Sequence, residues 1–255
     1  MRILVTFAIE AEFAPWRRRH NFQPTETSSN GKVYTANISG VEVSVGLTGI
    51  GPKAAAIRIC GMTWCEDFDL CITSGFAGAL RSEFQITEIL AAREVVPDKP
   101  RAVALGKKVT STPRLLRIAE TCGATIVDRF YSSPSTVGTA QEKAALRESA
   151  EAVEMESFEV LAEAFGWIPE GVALRAISDA ANEDLPLDFD TVLNEDGDLS
   201  VARLAGQIIR KPSAIPGLVR LGKRSEEAAR RLADFLDVYV AALAAKPENV
   251  ASSRA

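Results

Sequence analysis

The sequence predicts one α/β domain in which a mixed, twisted central sheet is flanked by helices. Apolar runs typical of buried strands alternate with helical patterns along the chain, as they do in α/β proteins. With 255 residues, 47% of them hydrophobic and 25% charged, the chain is long enough for one large domain or two small ones. No inter-domain linker is visible, so we expect one domain at residues 1–246 and a disordered tail at 247–255.

Strands dominate the first half of the chain, where short apolar or alternating runs are separated by glycine-containing turns. The expected strands span residues 2–8, 32–38, 41–47, 69–74 and 86–96. A helix begins within residues 9–16, and a second spans 53–64, because Pro52 suits the first turn of a helix. Residues 75–79 are expected to form a small-residue loop.

Helices and loops dominate the second half. Pro113 starts a helix at residues 113–120, and 124–127 is extended. The remaining expected elements are a loop at 131–139, helices at 141–149 and 158–165, a buried strand at 172–174, a surface loop at 182–198 and a helix at 224–245. The last helix carries an apolar stripe from Leu232 to Leu243.

Two polar clusters, residues 153–157 and 174–179, flank the helix at 158–165. A strand–helix–strand arrangement brings both clusters to strand or loop ends. In α/β sheets this is where ligands bind. We therefore expect the functional site here.

Charge and residue usage exclude several classes of function. The formal charge is −5 and the isoelectric point is near 5.2, which argues against a nucleic-acid or anionic-membrane surface. Four cysteines without CxxC spacing and a single histidine argue against a metal site, and no cofactor motif is present. His20 lies beside three arginines in an expected surface helix and is a poor candidate for a base. No signal peptide or membrane span is recognisable, so we expect a cytoplasmic protein with reduced thiols.

Carboxylates are the remaining candidate catalytic groups. Taken alone, Glu12 and Glu156 fit acids in the first turn of a helix, and Asp179 fits a loop cap. Taken together, paired carboxylates in different environments can divide the roles of acid and base, as in glycoside cleavage.

Five motifs in order give the chain a resemblance to a known family. They occupy residues 8–12, 48–56, 73–80, 153–156 and 175–179. Through them the chain resembles the purine nucleoside phosphorylase and nucleosidase superfamily, and within it the methylthioadenosine/S-adenosylhomocysteine nucleosidases. The likeness covers residues 1–182, and the last two motifs are the most specific.

The resemblance implies hydrolysis of the N-glycosidic bond of a purine nucleoside, with adenine as the expected base. Glu12 would activate the attacking water. Asp179 would protonate or hydrogen-bond purine N7, with its pKa raised by burial, and Ser178 would hold Asp179. Arg175 would support the carboxylates.

The resemblance also implies the residues that contact substrate. Met155 would pack against the ribose, Glu156 would accept hydrogen bonds from its hydroxyls, and Glu154 would orient the water. The small-residue loop adds Phe76, Ala77 and Gly78. No cofactor or metal is implied, and the family suggests a homodimer with a small-molecule nucleoside substrate and no nucleic acid or membrane insertion.

Three departures from the nucleosidase pattern concern the substrate. Phe76 stands where serine is common, Thr87–Glu88 replaces Gly-Asp, and the loop at 135–139 is short. Residues 185–243 instead resemble the hopanoid-associated phosphorylase-like branch. Phe76 and an apolar lid would suit a bulky apolar substituent.

Two other functions remain open at this stage. A phosphorylase usually has a Gly-Asp-Pro-x-Arg segment after the first strand and an arginine entering the small-residue loop. Here these positions hold residues 9–12 and Thr73, and an anionic Glu12 would repel phosphate. A weakly catalytic nucleoside-binding protein is the second alternative, which Phe76 favours.

Overall fold

A mixed β-sheet forms the centre of the computed structural model, which describes residues 1–25, 33–63, 67–98, 108–194 and 196–245. Its strands are β1 (Arg2–Phe7), β2 (Gln23–Thr25), β3 (Val33–Ile38), β4 (Val41–Leu47), β5 (Leu70–Thr73), β6 (Phe76–Ala79), β7 (Ile89–Pro97), β8 (Val109–Thr110), β9 (Thr125–Ser132), β10 (Ala152–Glu154) and β11 (Glu170–Asp179). The order across the sheet is β2-β3-β4-β1-β5-β11-β6-β10-β9-β7-β8, and β11 also pairs with β7.

Helices cover the sheet on both sides. They are α1 (Glu10–Arg19), α2 (Pro52–Thr63), α3 (Pro113–Thr121), α4 (Ala140–Leu146), α5 (Ser157–Ala164), α6 (Val201–Arg210) and α7 (Ile215–Ala244), with short 3₁₀ turns at Asp190–Val192 and Pro212–Ala214. The predicted fold class, a single α/β domain with a mixed sheet flanked by helices, is confirmed.

Strand β1 shows why the sheet needs cover on both faces. Ile3, Val5 and Phe7 pack into the cluster that contains α1 and α7 residues, whereas Leu4 packs into the cluster with α2 and α5 residues. Successive side chains of a strand point to opposite faces. An apolar run without alternation is therefore buried on both sides.

Strand β11 brings several strand ends together. It runs parallel to β5 and β6 and antiparallel to β7, and β1 runs parallel to β4 and β5. The pairings β11–β6–β10–β9–β7–β11 also close into a ring. The carboxyl ends of β1, β4, β5 and β11 consequently meet at one edge of the sheet.

Several predicted boundaries are wrong because pairing with neighbouring strands extends an element beyond its local pattern. The expected strand at 172–174 is part of β11, which includes Gly171 and ends at Asp179. Residues 76–79, expected in a loop, form β6, and β9 continues to Ser132. Strand β2 was not predicted.

The C-terminal part differs most from expectation. Helix α7 begins at Ile215, because Pro216 fits its first turn, rather than near residue 224. Helix α6 was not predicted. His20 is not a free surface residue, because its Nε2 lies 2.6 Å from Asp237 Oδ1 on α7. Of the cysteines, Cys71 is buried and Cys60 and Cys122 are half-buried; Cys65, the turn at 30–31 and the tail lie outside the described residues.

Within the described residues, no helix is long and apolar enough to cross a membrane.

Asp237 fastens α7 to α1, and its removal should destabilise the fold. Its carboxylate accepts hydrogen bonds from Trp16 Nε1 at 2.6 Å and from Arg19 at 3.0 Å, in addition to the contact with His20. Asp237→Ala leaves the buried indole N–H unsatisfied, so we expect a loss of about 1–3 kcal/mol in the free energy of unfolding. Urea denaturation measures it.

Asp234→Ala is the matched control. Asp234 is on the same helix and its side chain pairs with Arg19 at 2.7 Å, but it is half exposed and holds no buried donor. An equal loss in both variants would contradict the role given to Asp237.

Candidate active site

Glu12 is held at the start of α1 by backbone donors. Its Oε2 accepts the N–H groups of Ala8 at 2.8 Å and Ile9 at 3.2 Å. Its Oε1 accepts the N–H of Phe76, at the start of β6, at 2.8 Å. These bonds turn the carboxylate back over the end of β1, so its position is set by main chain rather than by mobile side chains.

Two glycines let the main chain approach the carboxylates. Gly75 has φ +143°, and a Cβ there would lie 2.7 Å from Glu12 Oε1. A Cβ on Gly78 would lie 2.7 Å from Asp179 Oδ2. Both distances are too short for a side chain, so Gly75, before β6, and Gly78, within β6, leave the space that the two carboxylates occupy.

Burial raises the pKa of the Glu12 carboxyl. The positive charge of Arg175 and the N–H groups of Phe76, Ile9 and Ala8 oppose the rise. Glu12 is therefore a stronger base than an exposed glutamate.

Arg175 is the cation at the centre of a buried acidic cluster. Only 1% of the residue is exposed. Its Nη2 lies 2.6 Å from Glu154 Oε2 and 3.7 Å from Glu156 Oε2. Glu154 Oε2 also accepts the N–H groups of Glu156 and Ser157, at 3.0 and 2.7 Å. Glu154 Oε1 and Arg175 Nε are buried and have no hydrogen-bond partner among the described residues.

Glu156 caps the end of the same cluster, immediately before α5. Its Oε1 accepts the N–H of Gly51 at 2.9 Å, in the glycine turn after β4. Burial raises the pKa of Glu156, and the negative charge of Glu154 raises it further, against the opposing charge of Arg175. One arginine thus faces several carboxyl groups, and the raised pKa of Glu156 limits how many of them are ionised together.

Asp179 ends β11 and has two side-chain partners. Ser178 Oγ donates to its Oδ1 at 2.8 Å, as the resemblance implies. Lys143 Nζ, on α4, donates to its Oδ2 at 2.6 Å and to the carbonyls of Ala180 and Glu183 at 2.8 and 3.1 Å. Lys143 is fully buried. The expectation from the sequence considered only the burial of the Asp179 carboxyl, and it did not include the Lys143 ammonium.

A cavity of about 200 Å³ collects these side chains. It is lined by Ala8, Ile9, Glu12, Ile50, Phe76, Ala77, Gly78, Thr136, Val137, Val153, Glu154, Met155, Glu156, Ser178, Asp179 and Leu185. All the residues predicted for the site line it except Arg175, which lies behind Glu154. This position behind Glu154 fits the supporting role that the resemblance implies for Arg175.

Sequence reasoning missed Lys143 and Gly75, as well as the cavity walls at Thr136, Val137 and Leu185. Lys143 lies in an ordinary amphipathic segment after the Thr139 cap, and a lysine there is usually exposed. Only the tertiary contact with Asp179 identifies it. Among the described residues, no cluster of His, Cys, Asp and Glu has an arrangement that could hold a metal ion.

Comparison with known proteins agrees with this architecture. The sequence model of the phosphorylase superfamily matches residues 2–210. Similar solved structures include the 5'-methylthioadenosine/S-adenosylhomocysteine nucleosidases of Neisseria meningitidis (18% identity, 94% of this chain and 98% of that chain covered, TM-score 0.72) and Campylobacter jejuni (18%, 94% and 99%, 0.71). A futalosine hydrolase mutant of Helicobacter pylori also matches (18%, 94% and 98%, 0.69). At these identities the likeness concerns the fold.

The raised pKa of Glu156 predicts a pH-dependent stability cost. Between the unfolded value of 4.5 and the higher folded value, the folded chain binds more protons than the unfolded chain, so stability falls as pH rises through this window and stays lower above it. Glu156→Gln removes the buried charge and keeps an acceptor for Gly51. We expect it to gain on the order of 2 kcal/mol relative to the parent between about pH 5 and about pH 9, measured by urea denaturation.

Glu163→Gln, on the same helix and partly exposed, is the control. If both variants respond equally to pH, or if Glu156→Gln gains nothing at the higher pH, burial of the Glu156 charge does not limit stability.

Proposed function

The chain belongs to the phosphorylase superfamily, and we propose that it hydrolyses the N-glycosidic bond of a purine nucleoside. The observation that carries the proposal is the gathering of Glu12, Glu156 and Asp179 around one cavity. In the reaction, the bond between the sugar carbon and the purine nitrogen breaks. Water adds to that carbon, one proton moves from the water to Glu12, and Asp179 delivers one proton to N7 of the departing base.

Glu12 has the geometry of a general base. Its Oε1 accepts one backbone N–H, which leaves an acceptor site for a water molecule. Its raised pKa improves its affinity for the proton that the water loses. Three backbone N–H groups fix its orientation, so it need not reorganise during the reaction.

The acidic cluster suits the charge that develops on the sugar. As the base departs, the sugar becomes an oxocarbenium-like cation. The carboxyl oxygens that line the cavity favour this cation over the neutral nucleoside, which lowers the barrier. Glu156 and Met155 line the same wall and would bind the ribose. Among the described residues, Glu154 Oε1 is an unsatisfied but fully buried acceptor, so Glu154 acts on the site through its ion pair with Arg175.

Asp179 and Lys143 suit the departing base. Negative charge develops on the purine, and a proton at N7 neutralises it. The proton would come from the Lys143 ammonium through Asp179, which accepts it at Oδ2 and passes it to N7. Lys143, with its three N–H groups directed at Asp179 and two carbonyls, keeps the carboxyl in place and adds positive charge beside the leaving group.

Charge also favours water over phosphate as the nucleophile. A phosphate dianion needs cationic side chains or several backbone donors. None of the described residues that line the cavity is Lys or Arg, Arg175 is occupied behind Glu154, and Glu12 would repel the anion. The adenine preference follows from the resemblance, and two of the similar structures are named for 5'-methylthioadenosine and S-adenosylhomocysteine.

An assay with and without phosphate tests the reaction class. We expect free adenine to be released from adenine nucleosides that differ in the 5' substituent, at the same rate in phosphate-free buffer as with added phosphate. A strict requirement for phosphate, with a sugar phosphate as product, would establish the phosphorylase alternative. Binding of the nucleoside without release of base would establish the weakly catalytic one.

Asp179→Asn should reduce base release by on the order of 10²-fold or more, because the amide cannot supply the proton at N7. The change also leaves the buried Lys143 ammonium without its counter-charge, which can cost stability. The double variant Asp179→Asn with Lys143→Met removes both charges and restores a neutral pair.

If the double variant is folded and inactive, the loss belongs to the Asp179–Lys143 pair and not to unfolding. Lys143→Met alone should lower the rate of base release, and Ser178→Ala should have a smaller effect because it removes only a hydroxyl donor. Full turnover by a folded Asp179→Asn enzyme would exclude Asp179 as the acid. Circular dichroism checks the fold of each variant.

A further inference from the structure

Helix α6 exposes part of its apolar side to solvent. Val201, Ala205 and Ile209 follow each other at intervals of four and form one stripe. Val201 and Ile209 are each 80% exposed. No residue of α6 is buried. An apolar stripe of this kind normally covers a core.

Leu204, Gln207 and Ile208 are the less exposed side chains of the helix, and polar contacts add to their packing. Gln207 donates to the carbonyl of Asp188 at 3.2 Å and to Thr191 Oγ1, and Arg203 donates to the carbonyl of Leu193. These bonds tie the helix to the loop before it and fix which side is turned outward. The exposed stripe is therefore a consequence of specific contacts.

The start of α7 continues the same pattern. Ile215 and Val219 are 46% and 54% exposed, and Lys223 lies one further turn along the same face of the helix. Across residues 199–225 the sequence has no Asp or Glu; its charged residues are Arg203, Arg210, Lys211, Arg220, Lys223 and Arg224. The net charge of −5, which argued against an anionic surface as partner, is an average that hides this basic segment.

We propose that α6 and the first turns of α7 form a docking surface for an anionic lipid bilayer. Exposed apolar side chains flanked by exposed cations, here Arg210, Arg220 and Lys223, are the composition of a helix that lies in a membrane interface. The apolar stripe enters the boundary between headgroups and acyl chains. The cations contact the phosphate and carboxylate groups of the lipids.

A second copy of the chain fits this surface less well. Homodimers usually use the same patch on both subunits. Such a contact would set these cations against their own copies, with no acid in the segment to compensate. A bilayer supplies both the apolar layer and the negative charge.

Vesicle sedimentation of the full chain tests the surface. We expect binding to phosphatidylcholine vesicles that contain phosphatidylserine, weakening with added salt, and little binding to phosphatidylcholine alone. Ile209→Ser should weaken binding on the order of ten-fold. Arg210→Gln and Lys223→Gln should each weaken it about five-fold.

Controls of the same chemistry lie elsewhere on the chain. Val238→Ser changes an exposed apolar residue later on α7 (54% exposed), and Arg18→Gln changes an exposed cation on α1; neither should alter binding. Absence of binding to the anionic vesicles at low salt, or equal binding to both vesicle types, overturns the proposal. A change of the chain from dimer to monomer on Ile209→Ser, seen by size-exclusion chromatography, assigns the face to a second copy and also overturns it.

Discussion

The buried ion pair between Arg175 and Glu154 is the interaction on which the site depends. Arg175 lies on β11 and Glu154 ends β10, so the 2.6 Å contact joins two strands that do not pair with each other. A buried guanidinium is costly unless it is compensated. Its compensation is the set of carboxylates that surround it, and folding therefore cannot be completed without assembling the acidic cluster. The same cation limits the mutual repulsion of Glu12, Glu154 and Glu156.

Main-chain N–H donors also hold carboxylates of the site in place. Glu12 is held by N–H groups from β1's end and from β6, and Glu156 by the N–H of Gly51. The donors at Phe76 and Gly51 come from turns whose glycines permit the close approach. The site is therefore built from strand ends and turns, where main-chain N–H groups hold the acidic side chains in place. This explains why the family motifs are rich in small residues.

Local patterns in the sequence predicted the fold class, and the motifs predicted superfamily membership; both are confirmed. Apolar runs identified β1 and β5, and the two acidic clusters were expected at strand ends, where β10 and β11 place them. What could not be predicted depends on contacts between distant segments. Lys143 meets Asp179 only through the fold, β11 is lengthened by three neighbours, and α6 exposes apolar residues that a sequence pattern would assign to a core. Bound ligands, the partner subunit and cellular location remain predictions.

Phe76 departs from the family pattern, and the effect of this departure depends on whether side-chain or main-chain atoms of the residue contact the site. Its side chain is partly buried and packs against the core cluster that contains α1 and α7 residues, while it also lines the cavity. Its backbone N–H is what holds Glu12, and that donor is the same whatever the side chain. Exchange of a serine for phenylalanine therefore reshapes one wall of the cavity and removes a hydroxyl, but it leaves the orientation of the Glu12 carboxylate unchanged. The substitution argues for a different substrate more strongly than for a loss of catalysis.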